Sequence, residues 1–373
     1  MAAREYSPIV MELIREINSK QDWLTDFAQA VSDAYDASSS DMQGIQTLDD
    51  FYRYMDDDLL KWVPHETSDG QEVYRRLCKF YFVFGQTVVY KYQTPIEPDS
   101  ANQDLTWLSE WLVRYAQELG KFMDTPESLT EESLETFKRA PKYHMGDYIE
   151  PHGGWKTFNQ FFARDYKPGY RPIDDIANHQ VIVSPADSTF EEQWMITDGA
   201  IDVTVKGMNW TIDELLDGSE YKDAFSNGIF MHAFLGPNDY HRLHAPVAGE
   251  VKEVKVIQGQ VYLNVTVDDN GKLLPIRHIH PPSKQSIRKI PPGDLRDFNA
   301  TDATGYQFCQ TRGLFVLENP EIGLVAVLPI GMAQVSSVIP TAEVGRQLQT
   351  GWGQHLSRAQ SALQYGQRDR NSQ

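Results

Sequence analysis

The stretch Phe234-Leu-Gly-Pro-Asn-Asp-Tyr-His-Arg-Leu-His-Ala-Pro-Val-Ala-Gly249 sets an apolar run against a turn, then places two imidazoles three residues apart before a proline and a glycine. Histidine is the side chain whose ordinary pKa lies nearest neutral pH, so His241 and His244 together have the means to move protons, orient a carboxylate or hold a metal. The plainer reading is that they cap a strand and satisfy backbone groups, since histidine is only intermediate in its preference for burial. What stands around the pair decides between the two.

Upstream, Phe158-Asn-Gln-Phe-Phe-Ala-Arg164 is followed by Lys167-Pro-Gly-Tyr-Arg-Pro172 and by Val183-Ser-Pro-Ala-Asp187. Downstream come Gly313-Leu-Phe-Val-Leu-Glu-Asn319 and Val327-Leu-Pro-Ile-Gly-Met332. Taken in order with Asp239-Tyr-His-Arg-Leu-His-Ala-Pro246, these elements resemble the motifs of the phosphatidylserine decarboxylase family over about residues 150 to 345. The resemblance implies a proenzyme in which an aspartate–histidine pair activates a serine near the C-terminus. The chain breaks before that serine, which becomes a covalent pyruvoyl group; its carbonyl then binds the substrate amine and accepts the electrons left when carbon dioxide departs. Carried onto this sequence, the resemblance makes Asp187 the residue that orients His244, and His244 the general base of self-cleavage. It sets His241 near the substrate carboxylate, or makes it the group that protonates the carbanion. Read without the resemblance, Pro-Ala-Asp-Ser is a turn in which Asp187 bonds its own backbone.

One part of the pattern is missing. The family carries a Gly-Ser pair in a glycine-rich segment after its last apolar strand, yet after Val344-Gly-Arg-Gln-Leu-Gln349 none of Ser357, Ser361 and Ser372 follows a glycine. The chain's one Gly-Ser, Gly218-Ser219, precedes the histidines and reads as a turn after a short helix. Ser336-Ser337 lies in a run rich in β-forming residues and reads as a strand continuing the apolar one before it. The pyruvoyl group is therefore implied by the resemblance and unsupported by this C-terminus. Three explanations stand open: a divergent member without pyruvoyl formation, a missed exon or shifted frame behind the polar tail from Gly351 onward, or another reaction that keeps Asp187, His241 and His244 as acid and base.

The 373 residues are enough for one large or two ordinary domains, and 41% apolar with 12% aromatic content supplies a packed core. A net charge of -19 and a pI near 4.9 argue against nucleic-acid phosphates or an anionic membrane surface as partners. Cys78 and Cys309 make neither a disulfide framework nor a metal cluster, and no signal-peptide order opens the chain, so the cytoplasm is the expected location. The apolar tracts Tyr81–Val89 and Leu324–Ile330 fall far short of the roughly 20 residues a membrane span needs. With no anchor, the expected substrate is a small soluble amino acid rather than a phospholipid.

Apolar residues recur at helical spacing at Ile9, Val10, Leu13, Ile14 and Ile17, and again at Leu105, Leu108, Trp111, Leu112 and Tyr115. Ser100 and Asp104 are candidate caps of the second run, and Thr125-Pro126 with Thr130-Glu-Glu-Ser133 opens a further helix. This helical extension resembles that of the fungal branch of the family containing the tryptophan decarboxylase of psilocybin biosynthesis. Beyond it, short β-rich runs at 201–205, 229–234, 251–257 and 261–267 alternate with turn signals such as Asp269-Asn-Gly271, interrupted by a helix from Thr211 to Leu216. The expected organisation is a helical module at 1–140, a connector at 141–157, a β-rich domain at 158–345 and a polar tail at 346–373. Together these give an α+β fold with an antiparallel two-sheet body.

His278-Ile-His280 puts two imidazoles on one face of a strand, but Pro-Pro-Ser-Lys-Gln follows where a metal site needs an acid, so no metal is expected. Pro281–Pro292 reads as a loop, in position to serve as a flap. Trp155, Phe158, Phe161 and Phe162 either line an apolar pocket or pack a core. The expectation is a carboxy-lyase acting on a small amino acid in specialised metabolism through Asp187, His241 and His244. Its alternatives are a non-catalytic relative that binds a small molecule or regulates a partner, and an isomerase or cyclase without a pyruvoyl group. By family analogy the chain pairs as a homodimer.

Overall fold

Proline at the first helical position and apolar residues at helical spacing wind the first helix, α1 (Pro8–Ser19), burying Ile9, Val10, Leu13 and Ile17. The computed structural model describes residues 4–100, 103–205, 208–276 and 305–360. The helical layer continues through α2 (Gln21–Ala37), α3 (Leu48–Arg53), α4 (Glu72–Phe84), α5 (Thr87–Tyr90), α6 (Trp107–Met123) and α7 (Glu131–Arg139). The cap of α6 is Thr106, whose hydroxyl accepts from the Ser109 N–H. Ser100, a candidate from sequence, ends its own short turn at Pro98–Ser100 instead. Thr130 and Ser133 close a reciprocal capping box on α7. No described helix is long and apolar enough to cross a membrane.

The helices do not bury their apolar faces by themselves. Their core, built on Phe27, Phe51, Phe80, Phe84, Trp111 and Tyr115, runs on into Val261, Leu263, Val265, Leu273 and Ala333 of the β-rich part. Polar ties cross the same seam: buried Asp41 accepts from Leu273 N and Lys272 Nζ, both at 2.8 Å, and Ser38 donates to the Gly271 carbonyl at 2.6 Å. The helical layer and the β body therefore share one core across the boundary drawn at residue 140. Trp155, Phe158, Phe161 and Phe162 are buried in that core, which is the packing alternative for this cluster.

The β-rich part holds β1 (Tyr148–Ile149), a short helix α8 (Phe158–Phe162), β2 (Asp165–Tyr166), β3 (Thr189–Thr197), β4 (Ala200–Val205), β5 (Met208–Thr211), helix α9 (Ile212–Leu215) and β6 (Gly228–Phe234). After the turn that ends at His241 come β7 (Arg242–Ala245), β8 (Gly249–Ile257), β9 (Val265–Val267), β10 (Leu273–Pro275), β11 (Arg312–Asn319), β12 (Gly323–Val327), β13 (Ser337–Pro340), β14 (Gln347–Leu348) and β15 (Gly351–Gln360). This is the α+β class, with more division than two sheets. The larger sheets run β12-β11-β8-β14, β13-β15-β7 and β5-β4-β3-β6, and β1-β2 and β10-β9 form small ribbons. Every named strand pair is antiparallel.

Two expected strands are shorter than their apolar runs. Only Val265–Val267 of the 261–267 run is ladder, because Tyr262 gives its N–H to the Gln310 side chain at 3.2 Å and its carbonyl to Ala333 N. The 327–332 run leaves the strand after Val327, where Pro329 cannot donate to a ladder. The larger difference is the tail. Residues 351–360, read from sequence as polar and without strand alternation, form the central strand of the β13-β15-β7 sheet. Pairing on both edges satisfies the backbone there, so polar side chains such as Ser357 are buried beside Leu356 without an apolar alternation to announce the strand. The His278/His280 pair and the 281–292 loop lie outside the described residues.

Candidate active site

Three local devices bring the motif residues together. Thr157 caps the start of α8 by accepting from Gln160 N, and after Ala163 and Arg164 the chain enters β2, which pairs Tyr166 with Tyr148 of β1. The 183–187 segment runs beside β7: Val183 N donates to Pro246 O at 3.0 Å, and His244 N donates to Pro185 O at 2.8 Å. The turn before the histidines closes when Gly236 N donates to the Asp239 carboxylate at 2.7 Å.

Asp187 is held from two sides. Its Oδ2 accepts from the Tyr166 hydroxyl at 2.5 Å and from Arg171, Nη2 at 2.7 Å and Nε at 3.1 Å. Burial opposes ionisation here, but the hydrogen bonds from Arg171 and Tyr166 and the guanidinium charge outweigh it and hold the carboxyl below its usual range. Arg171 also donates to Tyr166 Oη at 2.9 Å and lies over its ring, 4.4 Å from the centroid. Burial, reinforced by Asp187, raises the Tyr166 phenol far above its ordinary value.

His244 is buried on β7, with Nε2 3.1 Å from the Tyr240 hydroxyl and its ring parallel to that of Tyr240. Across the ladder it pairs with His355 of β15, the ring centroids 4.6 Å apart. Burial, with His355 and Arg242 alongside, pushes the His244 imidazole down to about 3, so it is neutral at pH 7. The expected Asp187–His244 arrangement is thus drawn differently: Arg171 and Tyr166 clamp the carboxylate, and the imidazole faces a phenol and a second imidazole.

His241 sits elsewhere. Its ring stacks on Phe162 at 3.9 Å and 20°, its Nε2 is 3.0 Å from the Gly236 carbonyl, and it is buried. Burial first, then the charge of Arg164, pushes it down to about 3. Arg164 is itself buried, donating to the carbonyls of Asn238 and Asp239 at 2.7 and 3.2 Å and lying over the Tyr148 ring at 4.2 Å. His241 and Arg164 therefore shape the turn that carries the signature.

A cleft of about 280 Å³ opens beside His244's wall, lined by Asp165, Tyr166, Lys167, Pro168, Gly169, Arg171, Tyr240 and His355. Asp165 Oδ2 is 2.9 Å from Arg242 Nη2, and its Oδ1 faces His355 Nε2 at 3.5 Å. Reading the sequence for imidazoles and acids singled out none of Arg171 and Tyr240, which lie inside motifs quoted for other reasons, Tyr166, which falls between two of those motifs, and His355, hidden in the polar tail. The strand signal that would have found His355 is its pairing, which no local pattern carries.

The profile of the family described as phosphatidylserine decarboxylase matches residues 158–354, which takes in Asp187, His241, His244 and the cleft apart from His355. The phosphatidylserine decarboxylase proenzyme of Pectobacterium atrosepticum is 34% identical over 173 residues, 44% of this chain and 48% of that protein. Proenzyme 3 of Schizosaccharomyces pombe is 30% identical over 230 residues, 62% of this chain and 20% of its own length. Proenzyme 2 of Oryza sativa is 29% identical over 231 residues, 59% of this chain and 36% of its own. The chain thus spans about half or less of the length of these relatives.

Proposed function

Because this chain belongs to the phosphatidylserine decarboxylase family, we propose that it is a carboxy-lyase of small amino acids and that the cleft beside His244 receives the amino acid. The observation that carries this reading is the charge pattern of the cleft: the carboxylate of Asp165 stands with the cations Lys167 and Arg171, the latter also paired with Asp187 behind it, beside neutral imidazole. That pattern suits a zwitterion, whose ammonium seeks the acid and whose carboxylate seeks the cations. The volume, just below the ~300–1,000 Å³ common for ligand sites, suits a free amino acid, or a serine head group with its acyl chains left outside.

The pyruvoyl group that the resemblance implies is formed from a serine that follows a glycine. On β15 the serine is Ser357, buried with no partner for its hydroxyl, and it follows Leu356. The Gly-Ser of this chain is Gly218-Ser219, whose hydroxyl donates to Glu253 of β8. These residues do not fit the group. What the chain's own side chains supply is binding and proton handling: Asp165 and Arg171 orient a zwitterion, and Tyr240 Oη next to His244 Nε2 offers a short path for a proton through a neutral ring. Decarboxylation also needs a carbonyl acceptor for the electron pair left on carbon.

The test is carbon dioxide release by the purified chain from L-serine, L-tryptophan and phosphatidylserine vesicles, with and without added pyridoxal phosphate, alongside its intact mass. Release from a free amino acid supports the proposal, and release from vesicles alone moves the substrate to the phospholipid. Saturable amino-acid binding with no release under any condition favours the second reading, a non-catalytic relative, for which the misfit at Ser357 speaks.

A further inference from the structure

His355 and Asp165 form a donor–acceptor pair at the mouth of the cleft that neither the signature nor the family motifs contain. His355 comes from β15, opposite His244, and its side chain is a quarter exposed, 27%, while that of Asp165 is 45% exposed. Asp165 is fixed by its neighbours: Oδ2 is occupied by Arg242, whose Nε is in turn anchored on the Ala163 carbonyl at 2.8 Å. Oδ1 is therefore the oxygen turned to His355. On the imidazole, Nδ1 is buried with no hydrogen-bond partner. A buried N–H without an acceptor costs more than a buried lone pair, so the neutral ring keeps its proton on Nε2.

The result is an anionic acceptor and an N–H donor held 3.5 Å apart, a separation long for a hydrogen bond between them. In an α-amino acid the nitrogen and the nearer carboxylate oxygen are about 3 Å apart, given standard bond lengths. Building on the reading of the cleft as an amino-acid site, we propose that Asp165 and His355 together recognise the α-amino-carboxylate unit, Asp165 Oδ1 accepting from the ammonium while His355 Nε2 donates to the carboxylate. A β-amino acid meets both only after folding into one gauche conformer at a cost in freedom, an amine without a carboxylate leaves His355 unused, and a hydroxy acid leaves Asp165 facing no cation. The pair is thus the device that selects the substrate class. The ring is neutral in this role: burial and Arg242 lower its pKa, Asp165 opposes them, and Lys167, Arg171, Tyr166, Tyr240 and His244 are the other titratable groups facing it.

Calorimetric titration of the full chain with L-serine, β-alanine, ethanolamine and glycolate at pH 7.5 tests this. The expected result is that L-serine binds at least tenfold tighter than each of the other three. His355→Ala should weaken L-serine binding tenfold or more and flatten that preference, whereas His355→Gln, which keeps an N–H donor, should restore binding to within a few fold. Asp165→Asn should lose affinity for L-serine while leaving glycolate unchanged or tighter. L-serine bound by the wild type but unaffected by His355→Ala, or bound no better than β-alanine, overturns the assignment and leaves the amino-acid cleft standing. No binding of L-serine, L-tryptophan or glycine by the wild type overturns the cleft reading and the assignment together. If His355→Ala melts early, His355→Gln and Asp165→Asn carry the test, since their selectivity changes do not follow from a loosened strand.

Discussion

The rings of His244 and His355 face one another across the β7–β15 ladder, 4.6 Å between centroids, which joins the signature to a segment far from it in sequence. Two imidazoles this close cannot both charge readily, and burial already opposes it. His244 and His241 titrate at about 3 when folded, against an ordinary value near 6.5. Between those limits the unfolded chain binds more protons than the folded one, so stability rises with pH; it is fully present above about 6.5 and lost as pH falls toward about 3. Each imidazole contributes a slope of up to about 1.4 kcal/mol per pH unit in that window. Thermal unfolding from pH 7 to 4 should show this loss, and His241→Gln should make the decline shallower. An unchanged slope in that variant would mean His241 titrates normally.

The Arg171–Asp187 clamp should act on acid and geometry more than on stability. Both side chains are about one-third exposed, so solvent screens the pair and a double-mutant cycle with Asp187→Asn should give a coupling of only about 0.5–1 kcal/mol. Arg171→Met should nevertheless raise the Asp187 carboxyl toward its ordinary range, because the largest of the opposing influences is removed. Carboxylate NMR titration reads this directly; an Asp187 that still titrates low in Arg171→Met would place the cause in Tyr166 and His144.

Gly249 closes the signature and is held there by space. A Cβ built on it would strike the Glu318 carbonyl oxygen and come within 2.9 Å of its carbon, both backbone atoms of β11. Backbone cannot swing aside, so Gly249→Ala should force β8 and β11 apart at a cost of about 1–3 kcal/mol. Denaturant unfolding measures it, and a neutral Gly249→Ala would contradict the close approach. The Gly249 position was legible as a turn signal, but the reason for glycine is an approach by a strand some seventy residues away, which sequence does not display.

The same limit explains what the sequence revealed of the site and what it hid. His241, His244 and Asp187 stand in compact motifs, and the structure gives each its own partners: Arg171 and Tyr166 for Asp187, Tyr240 and His355 for His244, Phe162 for His241. Their partners are set by chain segments distant in sequence: Tyr166 comes to Asp187 from β2, and His355 reaches His244 because β15 lies on β7. His241 shows the converse, since an imidazole in a signature looks reactive until Phe162 is found stacked on it. Helices α1 and α6 were read from periodicity, because an amphipathic face is written locally, whereas α2 to α5 were covered only by the general expectation of a helical module. Strand β15 was missed because a strand paired on both edges is recognised by its neighbours more than by alternation.

That strand offers the most direct check on the fold. Leu356 is fully buried, packed with Leu243, Phe315 and Val338, and Thr341 and Ala342 both donate their N–H groups to its carbonyl. In a loose polar tail Leu356→Ala would change stability by less than about 0.5 kcal/mol, the usual size of a surface substitution. In the centre of the β13-β15-β7 sheet the same change removes buried methyl groups and leaves a cavity, costing about 2–5 kcal/mol. Chemical denaturation of the two proteins at pH 7.5 separates these outcomes by several fold. A large loss would also establish that His355, the neighbour of Leu356 on the same strand, is held in place by the fold and not by chance contact.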